Sequence, residues 1–195
     1  MYNILKKWDI AIPEGYESWY ESWMEYLAKS CPDKVFAIDE LPFSVPMENN
    51  DKYTQVELIF QEAKRKKQLL KKFISTENKY INIFTKLWLY NKFYVGAYLC
   101  EDDSYYRIER KYRKDYKKLQ EKIKQQSGLV EVTDKLELEY LVRLGTRDIA
   151  EASFYCAEYE LLIVSSWGFF LVYFNDLSHF DKVKDIVASE GLFLR

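Results

Sequence analysis

His179 is the single histidine of this 195-residue chain, so any Ser-His or Cys-His nucleophilic mechanism would have to run through it. Its setting, Ser178-His179-Phe180-Asp181 at the start of an expected helix, is an ordinary exposed position. The run Cys100-Glu101-Asp102-Asp103 supplies hard oxygens of the kind that hold a divalent cation, but without EF-hand spacing. As the acidic approach to a basic helix, it also answers the helix dipole. Cys31, Cys100 and Cys156 are widely separated and odd in number, with no C-x-x-C pair and no histidine cluster. They read as reduced thiols of a cytoplasmic protein, and no metal site is expected. The six glycines are scattered and form neither G-x-G-x-x-G nor G-x-x-x-x-G-K, so neither a nucleotide cofactor nor any other is expected. On this inventory the chain reads as a non-enzyme.

Charge carries more information than any motif. Residues 1–60 hold 5 Lys and Arg against 11 Asp and Glu, a balance of −6; residues 61–126 hold 18 against 8, a balance of +10. Residues 127–195 return to −6, with 6 against 12. A near-neutral total therefore conceals a basic middle between two acidic ends, a distribution able to steer a charged partner. In the basic middle, Arg110, Arg113, Lys114 and Lys117 stand among Tyr105, Tyr106, Tyr112 and Tyr116. Cations release counterions from phosphates and tyrosines stack on bases, so nucleic-acid binding is one reading of this segment. Tyr105, Ile108, Tyr112, Tyr116 (or Leu119) and Ile123 also make an inward stripe, which leaves the cations as a solvated face or a surface for an acidic partner.

Near the N-terminus the chemistry reverses. Glu17, Glu21 and Glu25 alternate with Tyr16, Trp19, Tyr20, Trp23 and Tyr26, and the aromatic positions follow i, i+3, i+4, i+7 spacing. Carboxylates beside Trp and Tyr suit a surface that covers a basic site on another protein. Glu17, Trp19, Glu21 and Trp23 are accordingly the candidate partner-binding residues. Trp167, expected in a turn, joins them or else covers a core edge.

The elements that must position these groups follow from periodicity. With 48% hydrophobic and 17% aromatic residues, the chain can bury a core without metals or disulfides, and disorder is excluded. Helices are expected over 16–30 and 51–73, and strands over 34–39, 80–90 and 93–99, with a helix through Ile83, Phe84, Leu87 and Trp88 as the alternative for 80–90. A helix over 104–126, capped by Ser104, precedes a short strand at 130–132. Asp134-x-x-Glu137 then opens a helix that Gly145 stops. A meander of strands over 152–156, 160–164 and 169–174, a helix over 177–189 and a last strand at 192–194 complete the order. This is an α+β pattern with a largely antiparallel sheet, one domain over 1–195, and a possible seam near 100–130. No signal-peptide core is expected, and the apolar runs are strand-sized, so no membrane association is expected.

The stretch from Phe154-Tyr155-Cys156 through Leu161-Leu162-Ile163-Val164-Ser165-Ser166-Trp167-Gly168 to Asn175-Asp176 resembles the C-terminal part of small bacterial immunity proteins. The resemblance covers about a third of the chain, in size, aromatic acidic surface and composition rather than in a diagnostic motif. It implies a compact α+β protein in the cytoplasm that neutralises a cognate toxin by occluding it, and it transfers no binding residue.

Overall fold

Leu161-Leu-Ile-Val-Ser-Ser166 has no polar face, and a strand of this kind must be covered on both sides. A computed structural model, which describes residues 2–10, 20–43, 60–99, 108–125, 129–166 and 168–195, builds the molecule around it. Leu161–Ser166 (β5) is buried at every position and is the central strand of an antiparallel sheet, seven-stranded among the described residues. The other strands are Val35–Asp39 (β1), Phe93–Leu99 (β2), Val130–Glu131 (β3), Ala150–Cys156 (β4), Phe169–Phe174 (β6) and Phe193–Leu194 (β7). Their spatial order is β3-β2-β4-β5-β6-β1-β7. The expected β4-β5-β6 meander is present, with Phe154 opposite Ile163 and Ile163 opposite Val172.

Strand parity divides the side chains between two layers of helix. Phe154, Leu161, Ile163, Phe170, Val172 and Phe174 belong to the larger core. The helices covering it are Lys67–Tyr90 (α4), Arg113–Gln125 (α5), Lys135–Thr146 (α6) and Phe180–Ser189 (α7). Leu162, Val164 and Tyr173 face the opposite way, under Tyr2–Lys7 (α1) and Tyr20–Ser30 (α2). There they meet Leu5, Trp23, Met24 and Leu27. The molecule is α+β with helices on both faces of one antiparallel sheet.

Four expectations change. Residues 80–90 form no strand; they continue the helix begun at Lys67. Phe73, Glu77, Tyr80, Phe84 and Leu87 recur every three or four residues and are all buried, so the 3.6-residue period overrides the apparent alternation. The expected 51–73 helix is broken instead at residues 64–66, where Lys66 is extended, between the short helix Phe60–Ala63 (α3) and α4. Asn91 turns the chain from helix to strand. Its amide donates to the Leu87 carbonyl and its side-chain oxygen accepts from the Tyr159 N–H, each at 2.9 Å.

The long helix expected over 104–126 is shorter. A 3₁₀ turn over Arg110–Tyr112 leads into α5 at Arg113, and Ser104 lies outside the described residues. Asp134 caps α6 as expected, accepting the Leu136 N–H. Gly145 sits inside α6 rather than ending it. A Cβ there would approach the Ser165 Cβ to 2.8 Å, so glycine is what lets helix and β5 come this close.

Candidate functional site

Read along α4, the buried stripe Phe73, Glu77, Tyr80, Ile81, Phe84, Leu87 contains one carboxylate. Glu77 is 1% exposed. A carboxylate removed from water needs cations and hydrogen bonds in return. The C-terminal end of α6 supplies them, because α4 and α6 run antiparallel. Arg147 donates to Glu77 through Nε at 2.6 Å and Nη2 at 2.9 Å. The Thr146 hydroxyl donates at 3.1 Å, and Arg143 completes the set as an ion pair.

The second face of the Arg147 guanidinium is also committed. Its Nη1 donates to Glu109 at 2.5 Å, and its plane lies 4.4 Å from the Phe60 ring centroid. Burial alone would lower the Arg147 pKa, but bonding and attraction to Glu77 and then Glu109 outweigh it and raise the value. Arg147 is therefore a fixed positive charge that joins four pieces of chain: α3, α4, α6 and the segment leading into α5.

Two runs of the basic middle lie beside this junction. Lys64 follows Phe60 on one side of Arg147, its Nζ 5.4 Å from the Phe60 ring, and Arg65, Lys66 and Lys67 continue outward, all exposed. On the other side Glu109 is followed by Arg110, Arg113 and Lys114, with Arg110 and Lys114 exposed. Arg113 is half-buried and its Nε donates to the Ile108 carbonyl at 3.1 Å. Lys117 is exposed one turn further along α5. The inward stripe of α5 is as expected: Ile108, Tyr116, Leu119 and Ile123 are buried, and Tyr112 packs half-buried on Tyr140. Two basic runs more than 40 residues apart thus become one cation-rich end of the helix layer.

The other sequence candidates fare differently. Trp23 is 4% exposed and lies in the core beneath α1 and α2. As a partner-contacting side chain it is withdrawn, because with Met24 and Leu27 it packs against the Leu162, Val164 and Tyr173 side of the sheet. Glu21 falls within α2, but its side chain is not described; Glu17, Trp19 and Trp167 lie outside the described residues, as do Glu101, Asp102 and Asp103. His179 stacks on Tyr159, ring centroids 4.4 Å apart at 24°, where the 3₁₀ turn Leu177–His179 enters α7. The Cys156 thiol is buried, and that burial pushes its pKa well up.

The opposite end of the same helix layer is apolar. Leu89 at the end of α4 and Leu136 at the start of α6 are 71% and 72% exposed. Tyr90, with the Lys182 ammonium 4.1 Å from its ring, stands beside Leu89 in sequence and is also exposed. Among the described residues no helix is long and apolar enough to cross a membrane, and no His, Cys, Asp and Glu side chains gather as a metal ion would need. No family model, no curated protein and no solved structure matches this chain.

Proposed function

We propose that this protein is a non-enzymatic binding module of the immunity type, which neutralises a cognate bacterial toxin by covering it. The observation that carries the reading is how the reactive groups among the described residues are spent. Glu77 is enclosed by Arg143, Thr146 and Arg147, His179 is stacked on Tyr159, and Cys156 lies in the core. These groups hold elements together, while the described surface offers sorted charge and exposed apolar side chains. Glu17, Trp19 and Glu21, with Trp167, remain the proposed contacts on the acidic side; Trp23 serves by fixing α2 to the sheet. The free thiols of Cys31 and Cys156 support a cytoplasmic setting.

Affinity capture of the tagged chain from a bacterial lysate, with nuclease treatment and a salt wash, tests this reading. One protein retained in stoichiometric amount, and released by Glu17→Lys with Glu21→Lys, is the expected result. Retention that is lost entirely on nuclease treatment overturns it.

One specific observation favours a second reading, that the protein associates with nucleic acid. Lys64 and the run after it lie beside Phe60, and Arg110 follows Glu109, so two cation runs flank Arg147, while Lys79, Lys86 and Lys122 of the basic middle are engaged elsewhere.

A further inference from the structure

The geometry points to a composite phosphate-backbone site for double-stranded nucleic acid, formed by Lys64, Arg65, Lys66 and Lys67 together with Arg110 and Lys114. It rests on the second reading above and adds to it the site, the form of nucleic acid and the residues. Neither basic run suffices alone. Lys64, Arg65 and Lys66 occupy the turn between α3 and α4 and Lys67 opens α4, and the α5 cations are diluted by the exposed Asp115 and Glu121. The Arg147 junction ties the two runs together, with Phe60 against the guanidinium and Glu109 on one of its nitrogens. Glu109, which precedes Arg110, is already engaged by Arg147. Because Arg147 is held by Glu77, the juxtaposition is built into the core rather than left to flexible side chains.

The choice of duplex follows from where the aromatic side chains point. Single strands are held by bases stacked on exposed rings. Among the described residues of the two runs, Phe60 and Tyr116 are buried and Tyr112 is packed half-buried on Tyr140; Tyr105 and Tyr106 lie outside the described residues. A protein interface is likewise anchored by a central aromatic or aliphatic side chain, and these point inward too. Among the described residues of the two runs, the exposed side chains are mainly cations, which suits a partner of regularly repeating charge read through its backbone.

Fluorescence anisotropy of the full chain with a labelled DNA duplex of about 20 base pairs, titrated from about 50 to 200 mM salt, tests the site. Binding is expected to weaken steeply with salt. R65E/K66E and R110E/K114E should each lower affinity about tenfold or more and make the salt slope shallower by about one for each cation removed. K135E/K182E, at the opposite end of the helix layer, is expected to leave affinity within about twofold. All these side chains are exposed, and circular dichroism of each variant checks that it folds. Loss confined to R110E/K114E would overturn the composite site while nucleic-acid association survives. An equal loss in K135E/K182E, or tighter binding to the matching single strand, would also overturn it. No binding of either strand form at low salt overturns both the site and the reading beneath it.

Discussion

The two faces of the sheet are built from the same strands and differ in what they bury. The larger face, under α4 to α7, holds a ring-on-ring core, with Phe84 4.7 Å from Phe154 and 4.6 Å from Phe170. Beside it lies the one described carboxylate more than 90% buried, Glu77, with its arginines. The smaller face, under α1 and α2, is apolar and aromatic: Leu5, Trp23, Met24 and Leu27 on Leu162, Val164 and Tyr173, with Trp8 edge-on to Tyr155 at 5.5 Å. The first face carries the fixed charge that organises the surface; the second supplies burial. A sheet covered on both sides can thus give specificity on one and cohesion on the other.

That contrast can be broken from either side. The largest effect is expected for Phe84→Ala, which removes the ring at the centre of the large face: about 4–5 kcal/mol by denaturant unfolding. Glu77→Gln strands two arginines without their carboxylate and should cost about 3–5 kcal/mol. The double replacement Glu77→Leu with Arg147→Met should recover part of that loss, which a double-mutant cycle measures. If Glu77→Gln is neutral, the claim that charge organises this face is wrong. Trp23→Ala should cost about 3 kcal/mol, the lower end for such a truncation, because two short helices can settle into the space. Hydrogen exchange should show α2 opening at lower free energy than α4.

Gly145→Ala tests how closely α6 approaches β5 and should cost about 1–3 kcal/mol. The smallest effect is expected at the edge of the large face, where Glu190 accepts from Lys86 at 2.5 Å and Asn82 at 2.9 Å. Burial would raise its carboxyl pKa, but these two bonds outweigh it and hold the value below the ordinary one. A depressed carboxylate pKa stabilises the fold above its unfolded value, and that stability is lost as pH falls through the folded value. The difference in Tm between Glu190→Gln and the parent should therefore be present at pH 7 and close below about pH 4.

Where one period ran without interruption, the sequence was legible. Phe169–Phe174 matches its expected strand, β4 and β5 are displaced by no more than two residues, and Asp134 caps α6 where the Asp-x-x-Glu spacing put it. Residues 80–90 misled because Ile81, Ile83, Leu87 and Leu89 fit a two-residue alternation, although Leu89 is 71% exposed while Phe84, on the opposite parity, is fully buried. Only the helical register from Phe73 onward brings Glu77 onto the buried stripe, and that lone carboxylate was the signal for the missed network. Trp23 misled for a related reason: an aromatic helix face reads the same whether it meets a partner or its own sheet.

Local sequence by itself determined the chemistry of each segment: which strands are apolar on both parities, where caps and turns fall, and that the middle of the chain is basic. These depend on neighbours within a few residues, and the backbone repeats of 2.0 and 3.6 turn them into faces. Only the tertiary structure decided which faces meet. It chose the sheet rather than a partner for Trp23, and brought Lys64 and Arg110 to either side of Arg147. The physical reason is that a buried charge must find its counter-charge wherever the packed core places it, and sequence separation sets no term in that balance.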